Sequence, residues 1–317
     1  MSVGISRSPQ GQPEPQHQTQ EKDVLSQNMT DMLVRRIDPL CRTSAHRVTA
    51  EQLCRDWGIV VQSLDLRTGG AADGEVFIQP IPPTQIQTWL DEFRPWDQPG
   101  AGQWDFDLPG SYDPHEDRHY GMSNSLGISR MVCNYIEMCY RYEKGSIIRN
   151  KTRWRPSSFG VKHLSSSTSN IHRWHARFML HQCEPADAGK FYLSETRPDS
   201  ALPHLGCFLH DDELLADDGS LSTAELTTIM VLALRQAMNP IYKQATVVPI
   251  TVYSCAGQQV RIIQGCIDFR HRQFDIRYSE ILDFNEGGVR RTEENMQRFL
   301  TLLGWVLGNP VGNVKRP

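Results

Sequence analysis

The stretch STAELTTIMVLALRQAMNP (222–240), followed by TVVPITVYSCAGQQVRIIQGCIDFRHRQFDIRY (246–278), decides the architecture. Its first part is a helix written with both of its ends. Ser222 is a capping hydroxyl, Glu225 answers it at the third helical position, and Asn239-Pro240 stops the chain. The second part switches to extended runs at 246–255, 259–269 and 273–278, rich in Val, Ile, Tyr and Phe. Ala256-Gly257 and His271-Arg272 are turns between these runs, which predicts an antiparallel meander of hairpins. Thr292 then caps a last helix, with Met296, Phe299, Leu300, Leu303 and Val306 inward and Gly308 beyond it. The expected class is α/β: a single body with a mixed sheet flanked by helices, its antiparallel C-terminal meander followed by a terminal helix.

Upstream, apolar residues at 24, 25, 29, 32, 33 and 37 have the spacing of an amphipathic helix. Thr49-Ala50-Glu51 opens a short helix ending near Gly58, and 59–66 reads as a strand. After turns at Gly69-Gly70 and Asp73-Gly74, extended chain resumes at 76–79. Pro82-Pro83 opens a helix with Ile86, Trp89, Leu90 and Phe93 on one face, since proline is tolerated in the first turn. The segment 94–125 reads as a long irregular loop. A helix is expected at 126–142, its face built from Met131, Tyr135, Met138 and Tyr142. Residues 165–169 (SSSTS) read as a polar connector, and 172–181 and 190–194 as two strands joined by a turn.

Residues 1–22 contain five Gln and three Pro and no large apolar side chain after Ile5. Such a segment cannot bury enough area to offset its ordering entropy, so a disordered tail is expected there, ahead of a single domain at 23–310 and a loose C-terminus at 311–317. The longest apolar run, 229–234, is far short of the ~20 residues that cross a bilayer. No signal pattern opens the chain, and its eight cysteines contain no C-x-x-C pair. A cytoplasmic protein with reduced thiols, away from membranes and without a cofactor, is the expectation.

The net charge is −4, yet seven Lys/Arg face one acid between Arg141 and Lys162, and five acids stand without a base between Asp211 and Asp218. The basic run, interleaved with Trp154 and Phe159, suits an anionic or nucleic-acid partner. The acidic run could hold a divalent cation, receive a guanidinium, or simply form a loop before the Ser222 cap. No G-x-S-x-G, Walker or G-x-G-x-x-G motif is present, which removes α/β-hydrolases, P-loop NTPases and simple dinucleotide enzymes. His115-Glu116-Asp117-Arg118-His119 is literally H-E-x-x-H. Charged Asp117 and Arg118 favour a solvated cluster over a buried zinc helix, so no metal is assigned, and His115 and His119 remain the alternative ligands.

Two seven-residue elements carry a family resemblance. HYGMSNS (119–125) resembles the Gly-aliphatic-Ser element of tRNA-dependent cyclodipeptide synthases, and YLSETRP (192–198) is similar to their Tyr-aliphatic-x-x-Glu-x-Pro element. That family loads an aminoacyl group from tRNA onto a serine and closes two amino acids into a diketopiperazine on a Rossmann-like, mainly parallel sheet. The resemblance implies that Ser123 is the nucleophile and that Tyr192 and Glu195 hold the amino group and move protons. Arg149, Lys151, Arg153 and Arg155 would lie under tRNA phosphates, and Asp211 and Asp212 would favour a cationic side chain. An acyl- or aminoacyl-transferring enzyme of small-molecule biosynthesis is therefore expected. The alternatives are a non-catalytic binder of RNA or an acidic partner, and a metal-dependent hydrolase.

Overall fold

The computed structural model describes residues 24, 27–39, 45–94, 129, 132–133, 136, 140, 148, 151–157, 165–166, 174–183, 197–284 and 292–315. In chain order its helices are α1 (Ala50–Trp57), α2 (Pro83–Phe93), α3 (Thr223–Ala237) and α4 (Glu293–Val306). A further helical stretch at 27–39 widens into a π-turn at Leu33–Ile37. The strands are β1 (Arg47–Val48), β2 (Val60–Ser63), β3 (Ile78–Gln79), β4 (Trp154–Pro156), β5 (Ser165–Ser166), β6 (Trp174–Gln182) and β7 (Leu205–Asp211). They continue with β8 (Leu221–Ser222), β9 (Val247–Ala256), β10 (Gln259–Asp268), β11 (Gln273–Tyr278), β12 (Leu282–Asp283) and β13 (Asn309–Pro310).

Capping chemistry sets the helix ends. Ser222 Oγ accepts from the Glu225 amide at 3.1 Å, and Glu225 Oε2 accepts from the Ser222 amide at 2.8 Å, the reciprocal box read from the sequence. Thr49 and Gln52 repeat this at α1, which ends on Gly58 at φ 62°. The meander forms as its turns dictate: β9 pairs antiparallel with β10, and β10 with β11.

Among the described residues these strands lie in one nine-stranded mixed sheet, ordered β2-β11-β10-β9-β7-β6-β4, with β5 and β12 beside it. Only β7 with β9 and β2 with β11 are parallel. The sheet is mixed, as the sequence predicts, and not the mainly parallel one of the resembled family. Helices cover both faces. On one, α3 packs with Leu53 of α1 over Cys207, Ile250, Val252 and Ile263. On the other, α2, α4 and the helical residues Val132, Cys133, Ile136 and Tyr140 pack over Phe178, Phe208, Tyr253 and Ile262. Gly265 allows the closest approach on the α3 face, because a Cβ there would sit 2.1 Å from Ile229 Cγ2.

In the expected 126–142 helix the described residues Val132, Cys133, Ile136 and Tyr140 are helical and buried, and the predicted face of Met131, Tyr135, Met138 and Tyr142 lies outside the described residues. Two sequence expectations change. Ser165–Ser166, expected as a connector, is a strand on β6. Residues 311–315, expected to be loose, are tied down. Val311 donates its amide to the Phe77 carbonyl, and the Val314 carbonyl accepts from Thr246 and Val247. The 1–22 tail, the 95–125 loop and the 190–194 strand lie outside the described residues.

Candidate functional site

Strand β6 carries an inserted residue. Trp174 and Ala176 pack toward α3, yet so does Met179, while Phe178 and Leu180 face the other layer. Strict alternation cannot do this, and the register against β7 shifts between Arg177 and Met179. Phe178 takes φ 51°, a left-handed conformation costing about 1–3 kcal/mol for such a residue. The consequence is positional. Before the bulge the odd residue His175 faces the helix 129–140 layer, and after it the even residues do.

His175 is paired with His210 of β7, and their ring centroids stand 5.2 Å apart at an angle of 52°. His210 is level with Cys255 of β9, so His175, His210 and Cys255 form a row across three strands. The neighbouring row on this face is aromatic. Phe178 meets Tyr140 edge-on at 5.5 Å and Phe208 at 5.5 Å, and Phe208 stacks on Tyr253 at 4.8 Å. His210 is buried and His175 half-buried. Above Cys255 lies Cys133, whose hydrogen bond, together with burial, pushes the Cys255 thiol well above its ordinary range. That thiol stays protonated and is a poor nucleophile. Ser129 Oγ donates to the Asp211 carbonyl at 3.3 Å, one residue from His210.

The acidic run has a structural task. Asp211 is 1% exposed, its Oδ1 accepting from the Glu213 amide at 3.2 Å and its Oδ2 from Ser222 Oγ at 3.3 Å. Arg47 approaches Glu213 at 3.5 Å and donates to the Leu214 carbonyl. Arg261 donates to the carbonyls of Ala216 at 3.3 Å and Ser220 at 3.2 Å. The guanidinium groups this loop receives are therefore the chain's own, and Asp211 is inside rather than facing a substrate. Asp212 beside it is half-buried.

The basic strip is partly consumed as well. Arg155 is 8% exposed and donates to the carbonyls of Thr152 at 2.8 Å and Trp154 at 2.7 Å. Arg153 pairs with Asp199 at 2.9 Å, and Lys151 lies 3.9 Å from Glu92 over the rings of Trp89 and Phe93. Lys151 and Arg153 keep substantial exposure, at 37% and 45% of their side chains. Arg155 is paired in register with His181, and burial first, then the Arg155 charge, hold His181 below the ordinary imidazole range.

Ser123, Tyr192, Glu195, Arg149, His115 and His119 lie outside the described residues. The described residues that flank these segments lie apart. Ser129 is fastened at the end of β7, beside the histidine pair. Cys183 and Pro198, which flank 184–197, are bridged at the opposite end of β6, next to Arg153. Sequence reading missed the histidine pair. Its one signal is a histidine one residue inside the start of WHARFMLHQ and another one residue inside the end of LGCFLHD. Compared with models of known families and with curated proteins, the sequence matches none of them.

Proposed function

We propose that the chain is an acyl- or aminoacyl-transferring enzyme that takes its acyl group from an anionic donor, RNA-borne or similar, with His175 and His210 as its proton-transfer pair. One observation carries this reading. The two imidazoles stand together on the sheet face beside Ser129, which is hydrogen-bonded to Asp211, and Ser123 is six residues upstream in sequence. Six residues span at most about 20 Å, a length that allows the serine singled out by motif to reach the pair. An aminoacyl ester is already activated, and positioning plus proton transfer is sufficient catalysis.

In this mechanism Ser123 Oγ attacks the ester carbonyl and its proton passes to a His210–His175 imidazole. The same imidazole returns that proton to the donor's leaving oxygen as the acyl–oxygen bond breaks. A second amine then attacks the acyl-serine and loses its proton by the same route. Tyr192 and Glu195 belong to a segment flanked by Cys183 and Pro198, which bridge beside Arg153, and are assigned to hold the donor rather than to relay protons. His175 and His181 are six strand residues apart, about 20 Å. That separation fits an extended anionic donor whose phosphates lie at the basic edge and whose acyl end reaches the pair.

The test is expression of the full chain followed by mass spectrometry for cyclic dipeptides and other acylated amines. His210→Gln is expected to lower product by about a hundredfold, and Ser123→Ala to abolish it. Product formed equally by wild type and both variants removes the proposal. Salt-sensitive tRNA binding without product leaves the binding-module alternative.

The same histidine spacing also favours a second reading, a shared metal ion. Among the described residues no third ligand joins the pair, so this reading requires His115 and His119. Purified protein lacking stoichiometric zinc excludes it.

A further inference from the structure

Asp268 is level with Val247, where β9 begins, whereas His210 is level with Cys255 near its end. The β10–β11 turn therefore lies at the other end of the sheet from the histidine pair. There it meets the helical stretch 27–39, and three departures from ordinary structure coincide. The helix widens into a π-turn at Leu33–Ile37, a form that recurs at functional sites. Arg272 holds φ 57°, where glycine or asparagine is normal and a long side chain is strained. Arg36, on the π-turn, donates Nη2 to the Arg272 carbonyl at 3.4 Å, while its Nη1 is buried with no hydrogen-bond partner among the described residues. Burial pushes this guanidinium below its ordinary range.

The carboxylates beside it are engaged. Asp31 is shared by Arg35 at 4.0 Å and Arg272 at 3.5 Å. Asp268 accepts from the amides of Arg270 and His271, each at 3.0 Å, and from His271 Nδ1 at 2.9 Å. Asn28 locks the two elements together. Its Nδ2 donates to the carbonyls of Phe269 at 3.0 Å and Arg270 at 3.2 Å, and its Oδ1 accepts from Arg272 Nε at 2.6 Å. A desolvated cation is a cost, and a polyanion settling beside the guanidinium offsets it. A phosphate carries about two charges and three acceptor oxygens, enough for guanidinium groups arriving from two elements, whereas a carboxylate matches a single fork.

We infer that Arg36 and Arg272 form a binding site for a phosphate group, borne by a small phosphorylated molecule or a lipid headgroup. The site is independent of the proton-transfer pair. Thermal unfolding of the full chain is measured in inorganic phosphate against chloride at equal ionic strength. Co-sedimentation with phosphatidylcholine vesicles, with and without phosphatidic acid, separates the two sources. Expected is a phosphate-dependent rise in Tm, or capture only by phosphatidic acid, weakened about tenfold in Arg36→Gln and Arg272→Asn. Arg272→Lys retains more binding than Arg272→Asn, which folds without strain because asparagine tolerates the left-handed region. An equal response from wild type and both neutral variants, or no response to phosphate in either form, overturns the site.

Discussion

Glu225→Ala is expected to cost the protein about 3–5 kcal/mol, measured as a fall in the urea midpoint at constant slope. Glu225 and Arg261 are 0% and 1% exposed and meet at 2.7 Å. Removing the carboxylate leaves a guanidinium buried beneath α3 without its counter-charge. Its remaining acceptors, the carbonyls of Ala216 and Ser220, are neutral. The same substitution also removes half of the capping box, because Glu225 Oε2 accepts from the Ser222 amide. The double variant Glu225→Leu with Arg261→Met is expected to recover most of the loss, since a buried pair replaced by apolar volume is often neutral. A single-variant loss below about 1 kcal/mol would show that the pair is hydrated, which defeats this argument.

Acid is expected to destabilise the protein through His204. This imidazole is 1% exposed, and its Nε2 lies 3.0 Å from the Val311 carbonyl. A carbonyl only accepts, so Nε2 carries the proton of the neutral ring. Burial lowers the His204 pKa from 6.5 to about 4, against smaller opposing contributions from the Val311 and Phe77 backbone. The folded value is the depressed one, so the unfolded chain takes up the proton first. Stability is full above about pH 6.5 and falls as pH drops toward about 4, by a total on the order of 3 kcal/mol. His181, also held below its ordinary range, acts in the same direction. Urea midpoints of wild type and His204→Gln should converge on acidification. Parallel curves would mean that His204 titrates normally.

Local grammar made much of this fold readable. A hydroxyl three residues before a carboxylate defines the start of α3, a glycine ends α1, and a proline opens α2, because each acts through its own backbone neighbours. The meander was legible for the same reason, since hairpin register follows from turns and near-neighbour pairing. Strand β7 was not. LGCFLHD is buried at every position, so it lacks the alternation that marks a half-buried strand, and its identity depends on lying between β6 and β9.

The candidate site divides along the same line. Ser123, Tyr192 and Glu195 stood out by motif, and motifs are local strings. The pairing of His175 with His210 joins residues 35 positions apart, and it depends on a bulge at Phe178 that inverts the alternation of β6. No periodicity announces that inserted residue. The capped helices, the C-terminal meander and the α/β class were already present in the chain's own order of residues, where interactions reach only a few positions. Which faces became core, which charges were spent internally and which two imidazoles met were settled by strand order and by one irregular residue, because those contacts exist only once distant segments have packed.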